Sequence, residues 1–231
     1  MKRILVIGCL LFFQSSLYAE TVYIDCEGSW NKKNKVGSHY LVSKKGDIFQ
    51  LIKPEKRAWH AGQSFWKGFK DINSKSIGIE LDNFSSNSHS EPFTKLQIDS
   101  LCKLIKKISK YYKILPENVL GNSDIAPFRK KDPGEKFPWD ILQNKKLSYL
   151  PKKNKKFVFL NFTKKDKNKE KALKMLRKIG YDTRNVYSKR GRFSKLIKAY
   201  QRHFRQTLVD GKLDSETFSI IFNHYKDLLT L

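Results

Sequence analysis

Side chains suited to metal, proton or sugar chemistry gather in three short stretches of this 231-residue sequence. The first is Gly37-Ser38-His39-Tyr40-Leu41-Val42, followed by Gly46 and Ile48-Phe49-Gln50-Leu51. The second is Ala58-Trp59-His60-Ala61-Gly62, then Trp66-Lys67-Gly68, Asn73 and Ser76-Ile77-Gly78-Ile79-Glu80. The third is Gly121-Asn122-Ser123-Asp124-Ile125-Ala126-Pro127, then Arg129-Lys130-Lys131-Asp132-Pro133-Gly134 and Phe137-Pro138-Trp139. An imidazole beside an indole, as in Trp59-His60, suits metal ligation or stacking on a sugar. A carboxylate closing an apolar strand, as Glu80 does, suits proton transfer when it faces a groove. Each has an ordinary alternative: Trp59 and Trp66 as core aromatics, Glu80 as a surface acid. His89 sits in a Ser/Asn-rich loop, and His203 and His224 fall in helical stripes where a structural role is expected.

The elements that must position these groups are readable from periodicity. Residues 21–25 read as a strand. Residues 39–42 and 48–52 flank a Lys44-Lys45-Gly46-Asp47 turn and form a hairpin. Residues 76–81 form another strand. Ile98, Leu101, Cys102, Ile105 and Ile108 recur at helical spacing behind Thr94. Strands and helices in this order predict an α/β fold, a mixed β-sheet flanked by helices. Pro151-Lys152-Lys153-Asn154-Lys155-Lys156 opens a basic linker over residues 151–168. Three amphipathic helices follow over 169–231: one ending at Gly180, one carrying Phe193, Leu196, Ile197, Tyr200 and Phe204, and one capped by Asp214. The expected domains are residues 20–150 and a small three-helix unit at 169–231.

Hydrophobic content of 39% with 13% aromatics excludes a disordered chain. The formal net charge of +25 calls for a polyanionic partner. From Pro151 onward 22 Lys and Arg stand against 7 Asp and Glu, so the C-terminal part is the more basic per residue. Lys2 and Arg3 precede an apolar run over residues 4–13, and Leu17-Tyr18-Ala19 resembles a cleavage region, so residues 1–19 read as an export signal too short to span a membrane. An exported basic protein is expected to meet anionic envelope polymers in the periplasm or cell envelope rather than nucleic acid. Cys9 follows Val6-Ile7-Gly8 in the manner of a lipoprotein box, but the apolar run continues beyond it. Cys26 and Cys102 could pair or stay thiols; the apolar helical face around Cys102 favours thiols.

From about Val22 to Trp139 the three stretches resemble the zinc-dependent N-acetylmuramoyl-L-alanine amidases, the amidase-2 family related to peptidoglycan recognition proteins. The resemblance implies a Zn²⁺ ion held by two His and one Asp, a glutamate general base and a lysine that steadies the oxyanion. Glu80 matches the base, Lys130 the lysine and Asp132 the aspartate ligand. Asn122 stands where Gly-His-Ser-Asp would put a histidine, and Asp25 where the strand should end in one. Asp25, Asn122 and Asp132 would form an all-oxygen set, better suited to a harder divalent ion than to zinc, or to none. Trp59, His60 and Trp66 are the expected substrate-binding residues. Ala199-Tyr200-Gln201-Arg202-His203-Phe204-Arg205 and Val209-Asp210-Gly211-Lys212-Leu213-Asp214 resemble a three-helix peptidoglycan-binding domain. The resemblance therefore implies a peptidoglycan amidase with an altered metal site, or an inactive peptidoglycan binder on the same fold.

Overall fold

The computed structural model describes residues 4–10, 37–83, 91–151 and 165–230. At its centre is a five-stranded mixed sheet of order β3-β2-β4-β1-β5. The strands are β1 (Ile4–Leu10), β2 (Tyr40–Val42), β3 (Ile48–Gln50), β4 (Ser76–Asp82) and β5 (Val119–Gly121). Strand β1 runs parallel to both β4 and β5, β2 runs parallel to β4, and β2 and β3 form the antiparallel hairpin that the Lys44–Asp47 turn predicts. The described helices are α1 (Ile72–Lys75), α2 (Lys95–Tyr112), α3 (Asn122–Ile125), α4 (Trp139–Asn144), α5 (Lys165–Ile179), α6 (Arg192–Phe204) and α7 (Ser215–Leu228). Thr94 caps α2 by accepting from the Gln97 N–H, and Asp214 caps α7 by accepting from the Thr217 N–H. The mixed sheet flanked by helices is the fold class expected from the sequence. Helix α5 begins at Lys165, inside the stretch expected to be linker.

Side-chain alternation along the parallel strands splits the core into two layers. Leu5, Ile7, Ile77, Ile79 and Leu81 point toward α2 and α4, joining Leu101, Ile105, Phe137 and Trp139. Ile4 and Val6 point the other way, into a cluster with Trp66, Ile125, Leu176, Tyr181, Leu196 and Tyr200. The C-terminal helices thus cover the sheet's second face, and one continuous core joins them to it. Cys102 is a free, buried thiol on α2; Cys26 lies outside the described residues.

The apolar run expected to serve as an export signal is seated here as β1, the strand between β4 and β5. Leu5 and Ile7 are fully buried and Val6 nearly so. A parallel strand covered on both faces reads as an unbroken apolar run, which is also what a signal sequence needs, so composition cannot separate the two roles. Residues 21–25, expected to be the first strand, lie outside the described residues.

The helical unit is fastened through one buried carboxylate. Asp124 accepts from the Gly121 N–H at 2.8 Å, the Tyr181 hydroxyl at 2.6 Å and His203 Nδ1 at 2.8 Å. Its side chain is wholly enclosed, so three donors offset the desolvation of a charge. His203 in turn stacks on Trp139 with ring centroids 3.6 Å apart. Gln206 adds bonds to the Glu135 and Phe137 carbonyls, each at 2.8 Å.

Two outcomes follow for stability. Asp124→Ala strands three buried donors and should cost about 3–5 kcal/mol, read as a lower midpoint of thermal unfolding, with Asp124→Asn losing less. A chain starting at Glu20 lacks β1 and should lose cooperative unfolding by circular dichroism, whereas the chain from Met1 keeps it.

Candidate active site

The polar groups of interest collect at the carboxyl ends of β1, β4 and β5, where a parallel sheet opens its ligand-binding crevice. In β4, Ile77, Ile79 and Leu81 face the α2 layer, so Gly78 and Glu80 face the opposite side. Gly8 of β1 is the register partner of Glu80. Strand β5 ends at Gly121 and runs directly into Asn122, the first residue of α3. The chain then turns back, the Ser123 N–H bonding to the Asp132 carbonyl at 2.9 Å, which brings Asp132 beside Asn122.

Three of the expected residues therefore meet. Asn122 Nδ2 donates to Asp132 Oδ2 at 2.6 Å, and Lys130 Nζ lies 4.0 Å from Asp132 Oδ1. Glu80 lies close enough to Asp132 and Lys130 to feel both charges. Burial, and secondarily the charge of Asp132, raise the Glu80 carboxyl from its usual 4.5 to about 8, with Lys130 opposing the shift. Glu80 is therefore neutral at neutral pH and can donate a hydrogen bond. Glu80 Oε2 and Asn122 Oδ1 are buried and without a hydrogen-bond partner among the described residues.

The backbone at Gly8 lies directly against these two side chains. A Cβ placed there would lie 2.7 Å from both Asn122 Nδ2 and Glu80 Oε2. A side chain at position 8 would therefore collide with both, so the Asn122 amide and the Glu80 carboxyl already fill the volume in front of Gly8. Asp25, expected at this seat, lies outside the described residues. The sequence carried only an ambiguous signal for Gly8, because Ile7-Gly8-Cys9 and Ile24-Asp25-Cys26 follow the same pattern.

The described residues do not fit a zinc ion. Asn122 turns its amide N–H to Asp132, as a carboxylate neighbour demands, which leaves Asn122 Oδ1 without a partner among the described residues. His39 is fully buried, with Nδ1 accepting from the Gly78 N–H at 2.9 Å and Nε2 bonded to the Lys56 carbonyl at 3.2 Å. That locks it as a brace between the hairpin and β4. His60 packs under Gly78, where a Cβ would approach its ring to 2.3 Å, and bonds Ser76 Oγ at 3.2 Å. Among the described residues no three His, Cys, Asp or Glu side chains converge on one point.

The three residues expected to touch substrate separate. Trp59 is 42% exposed, with the Arg57 guanidinium 4.1 Å over its ring. Trp66 is instead a core residue, 2% exposed and edge-on to Tyr181. His60 is likewise buried. A spacing between an aromatic and its neighbours does not report which side of a loop it faces, so only Trp59 remains free to stack on a ligand. His203 and His224 are buried among the helices as expected, and His89 lies outside the described residues.

Glu80 makes the site sensitive to pH. Between about 4.5 and 8 the unfolded chain gives up this proton while the folded chain keeps it, so Glu80 erodes stability as pH rises through that window. Glu80→Gln removes the loss, and its thermal midpoint should rise relative to the unaltered chain more at pH 8 than at pH 5.

Comparison with known proteins bears on what this crevice belongs to. The sequence profile described as N-acetylmuramoyl-L-alanine amidase (Amidase_2) matches residues 14–135, a span that begins after β1. N-acetylmuramoyl-L-alanine amidase AmiD of Escherichia coli (strain K12) is 38% identical over 200 residues, covering 80% of this chain and 72% of AmiD. The 1,6-anhydro-N-acetylmuramyl-L-alanine amidase AmpD of Haemophilus influenzae is 41% identical over 107 residues, or 46% of this chain and 56% of AmpD. In three dimensions the chain superposes on E. coli AmiD, solved with the substrate anhydro-N-acetylmuramic acid-L-Ala-D-gamma-Glu-L-Lys, with a TM-score of 0.75, 30% identity and coverage of 98% and 89%. AmpDh3 of Pseudomonas aeruginosa, in complex with anhydromuramic pentapeptide, gives a TM-score of 0.76 at 27% identity with coverage of 98% and 92%.

Proposed function

Because this chain belongs to the N-acetylmuramoyl-L-alanine amidase family, we propose that it engages peptidoglycan fragments at the amide joining N-acetylmuramic acid to L-alanine. Support comes from the convergence of Glu80, Lys130 and Asp132 in the crevice, together with the muramyl peptides that AmiD and AmpDh3 hold. The neutral Glu80 carboxyl donates to the amide, and the Lys130 ammonium offers charge to a carbonyl oxygen. Trp59, at the exposed edge, offers a face for a sugar ring.

The metal centre is altered. Zinc in this family would polarise the carbonyl and supply an ionised water. Gly8 and Asn122 provide no imidazole to hold it, and the observation that carries this reading is that Asn122 turns its amide to Asp132 while no three His, Cys, Asp or Glu side chains converge among the described residues. The protein therefore recognises the muramyl-alanine link without the family's zinc-dependent turnover. A second reading, hydrolysis with a harder divalent ion, is favoured by the unpartnered oxygens of Glu80 and Asn122 beside Asp132.

The polymer places the protein in the cell envelope, in keeping with its basic charge and its leader-like N-terminus. No described helix is long and apolar enough to cross a membrane. The three-helix unit is proposed as a peptidoglycan-binding module, with anionic envelope polymers as further partners.

Calorimetry with anhydromuramyl tripeptide should detect binding, while excess zinc should release no free peptide by chromatography. Gly8→His combined with Asn122→His, which takes the Asn122 amide out of the volume in front of position 8, should tighten zinc at least ~10-fold. Peptide release by the unaltered chain that disappears in Glu80→Ala would restore the hydrolase reading, and no gain in zinc would overturn the assignment of Gly8 to the missing ligand.

A further inference from the structure

A second cavity, of 480 Å³, opens where the loop carrying Phe128 and Arg129 meets the segment between α5 and α6. None of Glu80, Asn122, Lys130 or Asp132 lines it. Its walls hold two guanidinium–aromatic stacks: Arg192 lies 4.0 Å over the Phe128 ring, and Arg184 lies 4.2 Å over Phe65. Stacking leaves in-plane donors of Arg192 to meet an anion, whereas Arg184 spends its Nε and Nη2 on Asp182. Arg192 Nε is buried and has no hydrogen-bond partner among the described residues, an unmet donor at the cavity wall. Asp182 also lines the cavity and holds Arg184 through bonds of 2.8 and 3.0 Å.

This chemistry selects among anions. A phosphate-bearing polymer would bring its charge against Asp182. A short peptide carries carboxylates for Arg192, an ammonium for Asp182 and methylenes for the faces of Phe65 and Pro127, and the volume suits a few residues. We propose that this cavity binds the free end of a short acidic peptide, the stem peptide of peptidoglycan, apart from the crevice around Glu80. The choice of stem peptide rests on the peptidoglycan reading above; the anion site itself does not. The cavity shares the Ile125–Arg129 segment with the loop that carries Lys130 and Asp132, so a peptide seated there also stiffens the crevice.

The test is calorimetry of the full chain with the sugar-free tripeptide L-Ala-γ-D-Glu-L-Lys. Binding should be present, should weaken at least ~10-fold in Arg192→Gln and in the more exposed Arg184→Gln, and should survive in Glu80→Gln/Lys130→Gln. Thermal unfolding confirms that each variant is folded. Absence of tripeptide binding overturns the proposal. So does loss in the Glu80/Lys130 variant with retention in both arginine variants, and so does equal displacement by inorganic phosphate, which would mark a plain anion site. Tripeptide binding without binding of the anhydromuramyl peptide would leave this cavity standing while the reading of the crevice fails.

Discussion

Everything at the mouth of this sheet hangs from Asp124. A carboxylate with no exposure survives only if its charge is fully met, and it is met by the Gly121 amide, the Tyr181 hydroxyl and the His203 ring. The first donor fixes how β5 turns into α3; the other two come from the C-terminal helical unit. The same group therefore sets the direction of Asn122 and seals the helices onto the sheet. Burial against Asp124 also pushes the Tyr181 hydroxyl well above its ordinary range, which keeps it a donor throughout the physiological pH scale.

That scaffold presents a crevice that gathers Glu80, Asn122, Lys130 and Asp132. Glu80, Lys130 and Asp132 stand in mutual reach, and the raised Glu80 pKa is what a catalytic carboxyl in a closed site would show. Where imidazoles would be needed, the chain offers an amide turned toward Asp132 and a glycine. An amide oxygen is a weak, hard donor for zinc and a glycine is none.

The C-terminal helices do more than extend the surface. Their core is continuous with the sheet face beneath Ile4, Val6 and Ile125, and their approach creates the arginine-lined cavity. Basic charge concentrated in this half of the chain has a local expression there, as guanidinium groups stacked on phenylalanines at the seam.

Sequence by itself determined the periodic elements and the motif residues: the hairpin around Gly46, the strand ending at Glu80, the Thr94-capped helix, the three C-terminal stripes and the grouping of Asn122, Lys130 and Asp132. These are local, since hydrophobic period, cap chemistry and turn residues act over a few positions. It could not choose between two apolar runs of similar pattern for the middle of the sheet, nor foresee that Gly8 would face Glu80, because register is settled by pairing between distant segments. Nor could it tell that Trp66 and His60 turn inward while Trp59 turns out, since the burial of a loop side chain depends on what packs over it. Tertiary structure decided those points, because a site's chemistry depends on where side chains meet in space, which spacing along the chain does not record.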